Sequence, residues 1–121
     1  MTFWLWLAIA GIGGVGAIAR FVVDARIADR VGRDFPLGTL AINLTGAFLL
    51  GVLVGVGAGG NLYLLAGTAT LGTYTTFSTW MLETYRLAED AEFRPAILNA
   101  VISLLLGFGA ALLGRTIGLH L

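Results

Sequence analysis

Apolar and polar positions segregate along this chain in blocks the length of whole helices. No charge occurs from Phe35 through Leu82, a stretch too long for one membrane span of about 20 residues and sufficient for two. The glycine-rich tract Gly55 to Asn61 is the natural place to divide it. One apolar run, Phe3 to Ala19, comes before, and another, Pro95 to Gly114, comes after. The pattern predicts an all-α polytopic membrane protein. Its spans fall near 3–24, 37–57, 62–85 and 95–115, in a single four-helix transmembrane domain covering residues 1–121.

Composition agrees: 58% of residues are hydrophobic and 12% charged, where soluble domains carry about 25% charged residues. The N-terminal run lacks a basic leader and continues into Arg20 without a convincing cleavage site, so it reads as the first span. With no cysteine, a disulfide or thiolate metal site is ruled out. The net charge of zero, with seven arginines and no lysine, argues against a nucleic-acid-binding surface.

The positions of the charges say more than their sum. The loops after spans one and three share a side and hold Arg26, Arg30, Arg33, Arg86 and Arg94, with Arg20 close by; the other side has only Arg115. The positive-inside rule makes those loops cytoplasmic and both termini external. All seven carboxylates lie on the arginine side, and Asp24, Asp29 and Asp34 interleave with the arginines in what reads as a short interfacial helix.

The segment GIGGVG, Gly11 to Gly16, fits the glycine pattern of a dinucleotide-binding turn, with Asp34 at roughly the distance of a ribose contact. Nothing downstream supplies the β/α repeats such a fold needs. Small residues that let membrane helices approach closely explain the same glycines, and Gly46 and the pair Gly107 and Gly114 extend that theme.

Polar residues at membrane depth need partners or a wet cavity, because an unpaired amide is costly in hydrocarbon. Thr39 and Asn43 share a helical face four residues apart, as do Asn99 and Ser103. Such pairs also serve as plain interhelical contacts, and single hydroxyls commonly bond their own backbone.

The segment TLGTYTTFSTWM, Thr70 to Met81, exceeds that explanation. Gly72 and the hydroxylated, β-branched run after it have poor helix propensity, which predicts a third helix broken near its middle. Broken membrane helices occur where protein or a cavity covers the backbone, and in transporters they often mark an ion site. With helix resuming near Thr75, Phe77 and Trp80 share one face while Thr75, Ser78 and Thr79 gather on another.

No Asp, Glu, Lys or His lies inside the spans, so carboxylate-driven exchange has no titrating group. Neutral donors and positively polarised ring edges suit a small anion; freed carbonyls suit a cation. A small multidrug-type transporter, the main alternative, needs a membrane carboxylate that the first helix lacks. A non-conducting assembly subunit leaves the hydroxyl cluster unexplained. An enzyme is disfavoured, since the one histidine, His120, sits at the C-terminus with no nucleophile to pair with.

In order along the chain, GIGGVGAIARF, PLGTLAINLTGAFLLG and GTYTTFSTW resemble the three signature segments of the Fluc (CrcB) fluoride channels. The resemblance covers all four helices. It implies a fluoride exporter of the plasma membrane that works as an antiparallel dual-topology dimer with two passive pores. It further implies that Asn43 lines the pore and that the edge of Phe77 meets fluoride, with Ser78 and Thr79 supplying hydroxyls. Thr39, Thr76, Ser103 and Trp80 complete the expected pore set. A structural sodium ion at the dimer centre would be held by the carbonyls of Gly72 and Thr75, and Arg20 and Glu83 match structural residues of the motifs.

Two positions depart from the family pattern. Trp80 stands where a second phenylalanine is usual, and Thr73 replaces a glycine of the break. The indole either holds an anion through its N–H or plugs the pore. The arginine skew also exceeds what an evenly dual-inserting chain should show, which leaves an identical partner and an oppositely oriented homologue both open.

Overall fold

The computed structural model describes residues 2–121. It is helical throughout, with no strand among the described residues. Helix α1 is Phe3–Val31, α2 is Leu37–Gly55, α4 is Ser78–Glu89 and α5 is Phe93–Leu119. Between α2 and α4 lies α3 (60–74), made of a short α turn Gly60–Leu62, a π-helical stretch Tyr63–Leu71 and a last α turn Gly72–Tyr74.

Among the described residues three helices, α1, α2 and α5, are long and apolar enough to cross a membrane. Their large side chains point mostly outward, as with Trp4 and Phe21 on α1 and Leu104 and Phe108 on α5. Among the described residues only Ile42, Ala69, Leu71 and Ala96 are buried hydrophobics. An apolar exterior around a small-residue interior suits lipid or another protein surface, not water.

Glycine makes the interior. Along α2 and α5, Gly51, Gly55, Gly114 and Gly118 bring the backbones so close that a methyl at any of them would strike a carbonyl of the facing helix. The same device joins α1 to α3. Gly13 and Gly16 are buried there, and a methyl at Gly16 would collide with the Thr70 carbonyl and the Thr73 hydroxyl. Gly11 and Gly14 of the same motif face open space. The GIGGVG segment thus lies within a continuous helix that uses alternate glycines for packing, not in a strand-to-helix turn.

The charged stretch after the first apolar run differs from expectation. It is no separate interfacial helix: α1 runs on without interruption to Val31 and ends where Gly32, at φ +79°, lets its N–H reach the Ala28 carbonyl. Interleaved Asp and Arg favour helix at this spacing, so leaving the apolar region gives the backbone no reason to stop. Arg33 then folds back to pair with Asp24 at 3.3 Å.

Candidate functional site

The break in the third helix lies three residues later than the glycine suggests. Gly72 is helical (φ −63°, ψ −33°), and the chain turns extended only at Thr75 (φ −78°, ψ 159°). A tertiary contact decides the position. The Thr76 N–H donates to Asn43 Oδ1 at 2.8 Å, and Asn43 Nδ2 donates to the Thr76 carbonyl, also at 2.8 Å. Only one orientation of the Asn43 amide satisfies both bonds, so its Oδ1 and Nδ2 are distinguished by the network. Taken by Asn43, the Thr76 amide cannot close the next turn onto Gly72, and the helix stops.

Each edge of the break is capped. On the α3 side the Thr75 hydroxyl bonds the Leu71 carbonyl at 3.0 Å, and Arg20 Nη1 donates to the Thr75 carbonyl at 3.3 Å. A guanidinium at a helix C-terminus both satisfies a freed carbonyl and opposes the negative end of the helix dipole. On the α4 side Thr76 Oγ1 accepts from the Thr79 N–H at 3.2 Å, which satisfies one of the free donors of the helix's first turn. The hydroxyls that gather are therefore those of Thr76, Ser78 and Thr79, and Thr75 is turned toward its own helix. Thr73 links the helices instead of loosening the break: its hydroxyl donates to the Gly13 carbonyl at 2.8 Å.

Beside the break runs a groove of about 600 Å³, lined by Asn43, Gly72, Thr75, Thr76, Phe77, Trp80 and Ser103 with mostly apolar neighbours from α2, α3 and α5 and the hydroxyl residues Tyr63 and Thr68. No charged residue lines it. Phe77 is 70% exposed on its rim, and its ring meets that of Trp80 edge to face, centroids 5.4 Å apart and planes at 85°. The in-plane C–H edges of such rings carry the positive end of the quadrupole, and those not spent on the partner ring are open to an anion.

Three expected site residues lie elsewhere. Thr39 is buried at 3% exposure and its hydroxyl donates to Glu83 Oε1, tying α2 to α4 away from the groove. Thr79 lines a second cavity of about 430 Å³ among the charges of Asp24, Arg33, Glu83 and Arg86. Ser78 is exposed on the outer face of α4. The Trp80 indole N–H is also unavailable to a ligand, because it donates to the Asn99 carbonyl at 2.9 Å.

Backbone oxygens at the break have the chemistry that a hard cation takes. The Gly72 carbonyl has lost its helical donor to Asn43, and the Thr75 carbonyl keeps a second lone pair beside the Arg20 bond. Two such oxygens are too few to complete a cation's shell within one chain.

Residues 7–115 match the family described as CrcB-like protein, Camphor Resistance (CrcB). The chain belongs to the CrcB family. Among similar proteins, one from Mycolicibacterium paratuberculosis named "Fluoride-specific ion channel FluC 2" is 54% identical over 94% of this chain and 93% of its own length. Another of that name from Mycobacterium tuberculosis is 51% identical over 97% of this chain and 93% of its own. A "Fluoride-specific ion channel FluC 1" from Leifsonia xyli is 43% identical over 98% of this chain and 89% of its own. With its apolar helices, this CrcB chain is a multi-pass protein of the plasma membrane.

Reading the sequence alone misses two features of this site. Neither the Arg20 bond to Thr75 nor the joining of Asn99, Trp80 and Thr84 has a local signal, since the partners are 55, 19 and 15 residues apart.

Proposed function

We propose that this CrcB chain forms a fluoride-selective channel through which F⁻ leaves the cell passively, down its electrochemical gradient. The observation that carries the reading is the uncharged groove at the helix break. Its polar groups are neutral dipoles, among them the hydroxyls of Thr68 and Ser103 and the amide of Asn43, which retains one N–H beyond its bonds to Thr76. Phe77 adds a ring edge. Together they replace the hydration shell of a small anion without a fixed charge that would hold it. The names of the relatives support this choice of ion.

In this reading the interrupted helix, residues 60–89, is a fourth span, and the exposed rim at Phe77 is closed by a second, antiparallel subunit. The partner is either an identical chain or an oppositely oriented homologue; relatives that carry the numerals 1 and 2 accord with the second option. Thr79, which lines the charged cavity, then belongs to the approach to the groove from that side. At the dimer centre the Gly72 and Thr75 carbonyls, doubled by the partner, would hold a sodium ion, whose charge would offset the negative helix ends there. The chain's own part is to keep those oxygens free of helical donors: Asn43 takes the Thr76 N–H that would bond Gly72, and Thr76 Oγ1 takes the Thr79 N–H that would bond Thr75.

Liposomes containing the purified protein decide the matter. Fluoride efflux should greatly exceed chloride efflux, and Phe77→Ile should cut it by at least about tenfold, roughly 1.4 kcal/mol at the barrier. Equal leakage of both halides would overturn the reading. A small multidrug-type transporter would instead show drug-driven proton exchange, which the uncharged groove argues against.

A further inference from the structure

Asn99 is the most buried polar residue of the chain, at 1% exposure, on a helix whose neighbouring side chains Ile97 and Leu98 face outward. It lies where α5 meets α4. Its Nδ2 donates to Thr84 Oγ1 at 2.8 Å and, more weakly, to the Trp80 carbonyl at 3.4 Å. The Thr84 hydroxyl donates to that same carbonyl at 2.9 Å, and the Trp80 indole donates back to the Asn99 carbonyl at 2.9 Å. Both ends of Trp80, main chain and ring nitrogen, are therefore fastened to one residue of the facing helix. Ser103, which lines the groove, reaches Asn99 Oδ1 at 3.5 Å.

We propose that Asn99 is a positioning residue that keeps the Trp80 N–H out of the ion groove and turns only the carbon edge of the indole toward it. The inference rests on the channel reading above. Tryptophan differs from phenylalanine at this place by a strong, directional donor. A donor left free in an otherwise uncharged groove would attract any halide, chloride included, whereas a C–H edge is a weaker and more diffuse partner. Any residue at 99 supplies a backbone carbonyl. Only an amide of this length also grips the Trp80 carbonyl and Thr84, and so fixes the register at which indole and carbonyl meet. Bracketed in this way, tryptophan serves as a wider phenylalanine.

The test uses the full chain carrying Trp4→Phe and Trp6→Phe, which leaves Trp80 as the only tryptophan. Asn99→Ala should move the indole emission to longer wavelength, and in liposomes should lower the ratio of fluoride to chloride efflux by about tenfold. With Trp80→Phe already present, Asn99→Ala should leave the ratio where Trp80→Phe alone puts it, because no N–H remains to be released. Thr84→Val, which removes one hydroxyl of the bracket at nearly constant volume, should act in the same direction as Asn99→Ala and serves if that variant does not fold.

An equal loss of ratio in both backgrounds would make Asn99 an ordinary packing residue and overturn the proposal. So would unchanged emission and selectivity in both Asn99→Ala and Thr84→Val. If the parent passes both halides alike, the channel reading fails instead, and the emission spectrum still reports whether Asn99 holds the indole.

Discussion

Asn43 and Thr76 face each other as two peptide groups do across a β-ladder, each donating to the other at 2.8 Å. The side-chain amide thereby takes the place of the helical turn that Thr76 forgoes. The interruption of backbone hydrogen bonding is stable here because its freed groups are matched by α2, by Arg20 and by local hydroxyls.

Replacing Asn43 tests that balance. Asn43→Leu keeps the volume and leaves the Thr76 N–H and C=O unpaired, which costs about 1–3 kcal/mol for each buried group. The expected result is a lower melting temperature in detergent together with lost fluoride efflux. Asn43→Asp keeps the acceptor for the Thr76 N–H but sets an anionic oxygen against the Thr76 carbonyl. It should melt closer to the parent than Asn43→Leu while efflux is still lost. Normal efflux through Asn43→Leu would remove Asn43 from the pathway.

Glycine packing makes a second prediction, within a single motif. Gly16→Ala must push α1 off α3, because its methyl meets the Thr70 carbonyl and Thr73 hydroxyl, and overpacking of this kind typically costs about 1–3 kcal/mol. Gly11→Ala meets nothing within 4 Å and gains roughly 1 kcal/mol of helix propensity. Thermal melting of the two variants should move in opposite directions. Equal destabilisation would mean that the motif acts through something other than the α1–α3 contact.

The sequence carries this much because hydrophobic blocks and small-residue spacing are local signals. The apolar runs mark the three long helices, and the hydroxyl-rich segment marks an interruption. What stays hidden is whatever depends on a distant partner. Gly72 has the lower intrinsic helix propensity, yet the helix passes through it and stops at Thr75, since Asn43, 33 residues away from Thr76, draws that amide out. In GIGGVG the pattern does not say that Gly13 and Gly16 face α3 while Gly11 and Gly14 face out. The N–H of Trp80 looks available in sequence and is bonded in the fold, because its acceptor lies on another helix. Thr39 shares a helical face with Asn43, but one turn is enough to bring it to Glu83 instead of to the groove.

Arg20 supplies a third test. Its guanidinium is half-buried and bonds the Thr75 carbonyl, where the dipole of α3 ends. Arg20→Lys retains the charge but not the planar, multiply donating head, so it should preserve part of the efflux. Arg20→Leu removes both and should lower efflux by about tenfold or more if that contact holds the break in place. Identical loss in the two variants would show that charge alone does not suffice, and that the Thr75 carbonyl requires the planar guanidinium.

Orientation gives the last prediction. Arg26, Arg30, Arg33, Arg86 and Arg94 lie together on the side reached by the end of α1 and by the turn between α4 and α5, while Arg115 is alone near the other end. In short connections arginine sets topology and carboxylates count for little, so Asp24 and Glu83 do not cancel this bias. A chain so skewed should insert mainly one way, with the arginine-rich end cytoplasmic and His120 outside. An antiparallel dimer would then need a homologue of opposite bias as its partner. Reporter fusions at the C-terminus, one active only in the cytoplasm and one only beyond the membrane, should give a strong signal on the outer side alone. Moving arginines should equalise the two, for instance by Arg30→Gln and Arg33→Gln together with Thr116→Arg. Equal signals from the unaltered chain would instead mean that both orientations occur, and that two identical chains suffice to close the groove at Phe77.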